Sequence, residues 1–298
     1  MTYSIVARDA STGELGVAVQ SHWFSVGSVV TWAEAGAGAV ATQSFAEPAY
    51  GPKGLALMRL GVDAQAALTA LVSADELRAR RQVAFVDANG AVAVHTGDQC
   101  IAAAGHAIAE GVSTQANMMR NDRVWPAMLE AYHTSSGDLA ERLLTSLDAA
   151  ETAGGDVRGR QSAAMIVVAG ASSGQPWRDR RFDLRVEDSA DPLGELRRLV
   201  TINRGYHRMD IAEEREVAGD VAGALAEYEA ARVFLSGNDE ATFWSAVLMA
   251  DAGRVDEARA LFDEITAREP GWAELVRRLP DTGLLRGGRS VVEELLAP

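Results

Sequence analysis

The chain has 298 residues, 48% of them hydrophobic, enough to fill one large core or two ordinary ones. Its formal net charge of −14 argues against nucleic acid as a partner, because displacing phosphate counterions requires a basic surface. Its one cysteine, Cys100, excludes an intrachain disulfide.

The first residues lack a basic segment followed by an apolar core, and no apolar run reaches membrane-spanning length. The expectation is a cytoplasmic protein with no membrane contact. Ser4 to Asp9 and Leu15 to Gln20 read as two strands of a hairpin, turned through Ala10-Ser11-Thr12-Gly13. Val29 to Ala35 and Gly38 to Gln43 read as a second pair joined through Gly36, with apolar runs continuous enough to be buried on both faces. Helices are expected from Pro52 to Leu60, ended by Gly61, and from Ala64 to Val72. Gln82 to Val86 and Ala91 to His95 flank an Asn89-Gly90 hairpin turn. Strands are expected near Ile101 to Ala109 and Gly111 to Gln115, then helices over Val124 to Tyr132 and Asp138 to Ala150. Strands over Ala163 to Ala169 and Arg181 to Val186 follow, and a helix from Leu193 to Val200 closes the first domain.

This order, with strands and helices in blocks, is not the regular alternation of a doubly wound fold. It describes an α+β domain over residues 1–204. Two antiparallel sheets packed face to face with helices outside is one of several layouts that fit it.

From residue 205 to 298 the chain reads as all helix. Gly219-Asp220-Val221 with Ala224, Tyr228 and Ala231 matches Gly253-Arg254-Val255 with Ala258, Phe262 and Ile265 at an offset of 34 residues, the tetratricopeptide period. Ala212 and Ala246 fill the small-residue position of each first helix. Pro270 stands where that motif expects proline, whereas Ser236 occupies the equivalent place in the first repeat. Gly271 to Leu279 is expected to cap the pair. Two repeats leave an incompletely covered apolar face, which predicts a homo-oligomer or a protein partner for this region.

Several motifs in order, among them Ser4-Ile5-Val6-Ala7-Arg8-Asp9, Gly16-Val17-Ala18-Val19-Gln20-Ser21, Ala39-Val40-Ala41-Thr42-Gln43, Tyr50-Gly51-Pro52, Arg81-Gln82, Gly154-Gly155-Asp156-Val157-Arg158-Gly159-Arg160-Gln161-Ser162 and Asp191-Pro192-Leu193-Gly194-Glu195-Leu196, resemble domain-of-unknown-function family 1028 over roughly residues 2–204. The resemblance implies placement in the N-terminal-nucleophile (Ntn) hydrolase superfamily and a four-layer αββα sandwich. It implies no settled substrate. Where that family usually reads Gln-Gly-Asn-Met-Leu, this chain has Gln115-Ala116-Asn117-Met118-Met119, so a positive φ at Ala116 would be costly.

Against that background Thr2 is the candidate nucleophile. Methionine aminopeptidase removes an initiator Met ahead of a small residue, and removal of Met1 leaves on Thr2 both a hydroxyl and an α-amine that serves as its base. Ser21, at the end of the second strand, is a candidate to hydrogen-bond that hydroxyl or amine. Asn117 is a candidate oxyanion donor, and Asp156 a candidate to orient the amine or Ser162. Gln43, Arg158 and Ser162 are candidate substrate contacts, Arg158 through forked bonds to a carboxylate. A strand-end Ser, a capping Asn and a turn-bonding Asp are the ordinary alternatives for Ser21, Asn117 and Asp156. Gly36 to Gly38 lacks the Walker spacing, and His95, His106 and His133 show no metal-ligand spacing with Cys100, so no metal or cofactor is expected. Cys100 reads as a small buried hydrophobe at a strand start. The expected function is an amidohydrolase acting on a small amide or peptide-like molecule. The alternatives are a catalytically silent binding module that uses its repeats for assembly, and a different hydrolase using Cys100 or an internal Ser on the same fold.

Overall fold

The structure, a computed structural model, describes residues 2–297. Its elements in chain order are β1 (Thr2–Arg8), β2 (Leu15–Ser21), α1 (Gly27–Val30), β3 (Thr31–Glu34), β4 (Gly38–Ser44), α2 (Tyr50–Arg59), α3 (Ala64–Ala74), β5 (Arg81–Asp87), β6 (Val92–Thr96), β7 (Gly105–Ala109), β8 (Val112–Asn117), α4 (Val124–Thr134), α5 (Leu139–Thr152), β9 (Ser162–Val168), α6 (Pro176–Asp179) and β10 (Arg180–Val186). Helices α7 (Pro192–Val217), α8 (Val221–Phe234), α9 (Glu240–Asp251), α10 (Val255–Arg268), α11 (Gly271–Thr282) and α12 (Gly288–Leu295) complete the chain. It divides into two compact units between Val200 and Thr201.

The first unit is α+β, with two antiparallel sheets. One has six strands in the order β10-β9-β2-β1-β8-β7 and the other has four, β3-β4-β5-β6. The two-residue period of the strands sorts their side chains. Along β1, Tyr3, Ile5 and Ala7 pack with Leu143, Leu144 and Leu147 of α5 and Met128 of α4. Val6 points the other way and packs with Val17, Ala39, Ala41, Ala84 and Val86 between the sheets. A third cluster joins Val40, Val83 and Phe85 of the smaller sheet to Tyr50, Leu55 and Met58 of α2 and Leu68 of α3.

Local chemistry explains the boundaries. In the β1–β2 turn the Asp9 carboxylate accepts from Ser11 N and Thr12 N at 2.8 and 3.1 Å, and Gly13 takes φ 76°. Asp63 caps α3 by accepting from Ala66 N at 2.8 Å, and Asp138 caps α5 by accepting from Glu141 N at 2.9 Å. Helix α2 begins at Tyr50, ahead of the expected Pro52. Its Gly51 lies against the Trp32 ring, where a Cβ would sit 2.2 Å from a ring carbon, so close packing draws the helix start forward. The strand expected from Ile101 begins only at Gly105, so Cys100 lies in a loop rather than at a strand start.

The helix expected to stop at Val200 runs on to Val217, and the expected boundary at residue 204 falls inside it. Thr201, Ile202, Asn203 and Gly205 are weak helix formers. In the structure a Cβ on Gly205 would sit 2.5 Å from Leu235 Cγ, so this glycine is where α8's end packs, and tertiary contact outweighs propensity.

In the second unit Met209, Ala212, Ala224, Tyr228 and Ala231 form one cluster. Phe243, Ala246, Ala258, Phe262 and Ile265 form the next, together with Val276 and Leu279 of α11 and Val292 and Leu295 of α12. The repeat residues matched in the sequence are thus the buried ones. Helix α12 lies beyond the expected cap, and with α11 it covers the second repeat. Among the described residues no helix is long and apolar enough to cross a membrane.

Candidate functional site

One row crosses the larger sheet at the level of Thr2, the first residue of β1. In register order it reads Ser162 (β9), Ser21 (β2), Thr2 (β1), Asn117 (β8). All four are buried, and all share the face that Val6 occupies further along β1. Thr2 Oγ1 lies 3.0 Å from Ser21 Oγ. The Thr2 carbonyl accepts from two side-chain amides, Gln43 Nε2 at 3.3 Å and Asn117 Nδ2 at 3.4 Å.

Behind these contacts lies a cluster of buried amides between the sheets. Gln82 Oε1 accepts from Gln43 Nε2 at 2.7 Å and from Asn117 Nδ2 at 3.1 Å. Gln82 Nε2 donates to Thr96 Oγ1, Gly105 O and Ala116 O at 3.0 to 3.1 Å. Gln43 Oε1 accepts from Ser4 Oγ at 2.7 Å, and Gln115 Nε2 donates to the same Ser4 hydroxyl at 2.6 Å. Buried amides are tolerable when their donors and acceptors are matched, and most of these are.

The structure therefore brings Thr2, Ser21, Gln43 and Asn117 into one hydrogen-bonded group. Asp156 sits beside it. This buried carboxylate accepts from Arg158 N at 2.8 Å and His22 N at 3.3 Å, which ties the 156–158 loop to the residue after Ser21. Arg158 Nη2 lies 3.4 Å from Asp156 Oδ2, and its side chain reaches solvent. Ser162 accepts from Val26 N at 3.1 Å and donates to Trp23 O, so its hydroxyl holds the 23–26 turn. The Asp156 carboxylate bonds neither Ser162 nor Thr2. The candidate role of Asn117 as an oxyanion donor meets a similar limit, because both of its amide protons are already directed at Thr2 O and Gln82 Oε1. Met1, whose removal the nucleophile reading requires, lies outside the described residues.

Three further features gather at this end of the sheets. Ser25, Ser44 and Met118, the non-glycine residues with positive φ among the described residues (55°, 72° and 57°), follow Ser21, Gln43 and Asn117 along the chain. Such conformations cost about 1–3 kcal/mol each and collect at functional sites. The strain expected at Ala116 falls instead on Met118, because Ala116 is an ordinary strand residue paired with Tyr3. Gln20 Nε2 and Oε1, His22 Nδ1 and Asn117 Oδ1 are buried without a hydrogen-bond partner. Lastly, Trp23, Phe24, Phe45, Ile101 and Val157 are exposed on the loops that leave these strand ends.

Sequence reading missed Gln82, Gln115 and Ser4 as parts of this group. The available signal was phase: Gln82 alternates with Ala84 and Val86, and Gln43 with Ala41 and Ala39, so each glutamine continues an inward-facing apolar stripe.

Cys100 is half-buried, its thiol donates to Arg81 O at 3.3 Å, and burial pushes its pKa up, away from the reactive thiolate. His106 Nδ1 lies 2.9 Å from Thr96 Oγ1. No group of three or more metal-ligating side chains occurs among the described residues.

The profile of a family of unknown function, DUF1028, matches residues 2–196, and a tetratricopeptide-repeat profile matches residues 218–279. The crystal structure of protein SPO2555 from Silicibacter pomeroyi, described as DUF1028, superposes with a TM-score of 0.61 at 32% identity, covering 66% of this chain and 84% of that one. No curated protein matches the chain. A family profile that spans residues 2–196 covers well over half of the molecule, and the chain belongs to the DUF1028 family.

Proposed function

We propose that the first unit is an Ntn-type amidohydrolase of the αββα class, with Thr2 as its N-terminal nucleophile once Met1 is removed. The observation that carries this reading is the Thr2–Ser21 hydroxyl contact of 3.0 Å in a buried row, surrounded by strained residues and unpaired buried polar atoms. The packing of α4 and α5 on one sheet and of α2 and α3 on the other is compatible with the four-layer class.

In this reading Thr2 Oγ1 attacks the carbonyl of a small amide or peptide-like substrate, and its proton passes to the Thr2 α-amine, a group that titrates near 7.7–8.0 in model compounds. The C–N bond then breaks, the amine product leaves with that proton, and water hydrolyses the ester on Thr2 to release the acid. Ser21 orients Oγ1, while Gln43 and Asn117 hold the Thr2 carbonyl. The oxyanion falls to backbone N–H groups, since the Asn117 amide is engaged. Asp156 braces the loop that presents Arg158 to a substrate carboxylate. The exposed Trp23, Phe24 and Phe45 favour a substrate with an apolar portion.

Intact mass of the purified protein tests the premise, with the loss of one methionine residue expected. A β-lactone probe then tests the nucleophile. Attack by Oγ1 on the lactone carbonyl opens the ring, so the protein gains the full probe mass on Thr2, and Thr2→Ala abolishes the gain. Retained Met1, or equal labelling of Thr2→Ala, overturns the reading.

The tetratricopeptide match favours a second reading, a silent Ntn-like protein that serves as a binding or scaffolding module, alone or as a homo-oligomer. Its test is the same intact mass with Met1 retained, together with sedimentation at micromolar concentration to detect assembly.

A further inference from the structure

We propose that Gln82, on a different sheet from Thr2, is the positioning residue that fixes the candidate nucleophile. The inference rests on the amidohydrolase reading and assigns how its Thr2 is held. Thr2 is fixed from two sides. Ser21 meets its hydroxyl, and the amides of Gln43 and Asn117 meet its carbonyl. Holding the carbonyl fixes the plane of the Thr2–Tyr3 peptide and the Cα–C bond from which the nitrogen and Cβ project, and the Ser21 contact then fixes the rotation that places Oγ1.

A side-chain amide is nearly symmetrical in shape, so something must decide which end of Gln43 and of Asn117 presents protons to Thr2. Gln82 decides both. Its Oε1 accepts from Gln43 Nε2 and from Asn117 Nδ2, which turns both NH₂ groups inward. The Gln82 amide is itself fixed, because its NH₂ faces a hydroxyl and the carbonyls of Gly105 and Ala116. Reversing it would set its oxygen against two carbonyls and its NH₂ against two other NH₂ groups. Gln82 has no solvent exposure, so water cannot substitute for it.

Gln115 provides the matched control. It is a buried glutamine in the same cluster, but its side chain bonds Ser4 and Ser113 and touches Gln43 only through the Ser4 hydroxyl, where Gln82 bonds Gln43 and Asn117 directly.

The experiment compares Gln82→Met, Gln82→Glu and Gln115→Met in the full chain, with folded fraction checked by circular dichroism. Two readouts are used: the rate of β-lactone acylation at Thr2, and hydrogen exchange of the β1 peptide. Small displacements of a reacting group cost one to two orders of magnitude in rate. Gln82→Met is therefore expected to acylate about tenfold more slowly and to exchange faster in β1. Gln82→Glu keeps the acceptor and should recover part of the rate. Gln115→Met should stay within about twofold of wild type.

Equal slowing in Gln82→Met and Gln115→Met would mean a general packing role and overturn the proposal, as would an unchanged rate in folded Gln82→Met. If the wild-type protein itself resists acylation, the amidohydrolase reading fails. The positioning claim is then decided by exchange alone: selective loosening of β1 in Gln82→Met upholds it, and equal exchange in both Met variants overturns it.

Discussion

The space between the two sheets has two ends built from the same strands but with opposite chemistry. Along one face of β1, Val6 packs among Leu15, Val17, Ala84 and Val86, while Ser4 and Thr2 meet Gln43, Gln115 and Asn117, with Gln82 behind them. The aliphatic end gains stability from apolar burial. At the amide end each buried group first loses its hydration and then recovers most of it through internal bonds, for a small net gain. A core built for stability alone would carry the aliphatic pattern through to the strand ends. The amide end instead fixes directions, and the hydroxyl pair and the unpaired Asn117 Oδ1 lie there, with the positive-φ residues on the loops that leave it.

Substitutions that separate direction from stability sharpen this contrast. The largest effect is expected at the amide end and in function only: Thr2→Ala should eliminate acylation by an electrophilic probe while thermal unfolding shifts little, as mass spectrometry and calorimetry would record. The reverse is expected of Leu15→Ala at the aliphatic end. Leaving a cavity there should cost about 2–5 kcal/mol in urea unfolding with the acylation rate per folded molecule unchanged.

Within the amide cluster, Gln43→Met and Gln82→Met each strand the other's partner groups. Their double variant should be less destabilised than the sum, with a coupling of about 0.5–3 kcal/mol in a denaturation cycle. Additive effects would mean that the cluster is a set of separate bonds rather than one network.

The smallest effect concerns the strand end next to Gln82. The buried Arg81 pairs with Asp75 at 2.8 Å and donates to Phe45 O. Burial alone would raise the Asp75 pKa, but bonds from Arg81, Leu77 N and Tyr50 outweigh it and hold the carboxyl below its usual range. A depressed folded-state pKa stabilises fully above the unfolded value near about 3.9 and is lost as pH falls through the folded value. Asp75→Asn should thus cost about 1 kcal/mol at neutral pH and flatten the acid limb of stability below about pH 4, measured by urea titration across pH.

Much of the fold was legible because its signals are local. The hairpin turns at Gly13 and Gly90 and the 34-residue spacing of the repeat residues are written in short stretches of chain. The site was legible in part. Thr2, Ser21, Gln43 and Asn117 were nominated from strand ends and from the family resemblance, and the structure joins them in one group. Gln82 was not nominated, because its role depends on a strand of the other sheet lying opposite β1 and β8. Nor could sequence assign Ser162 to the 23–26 turn or extend α7 through Gly205, since both depend on contacts distant in the chain.

The sequence by itself determined which residues turn inward, where most strands and helices lie, and that the C-terminal third of the chain repeats, because period, turn chemistry and repeat spacing are read from the order of residues alone. Only the tertiary structure decided which inward polar groups meet. Side-chain hydrogen bonds need partners within about 3.5 Å in a particular orientation, and for Gln43, Gln82 and Asn117 those partners come from strands that only the packing of one sheet on the other brings together.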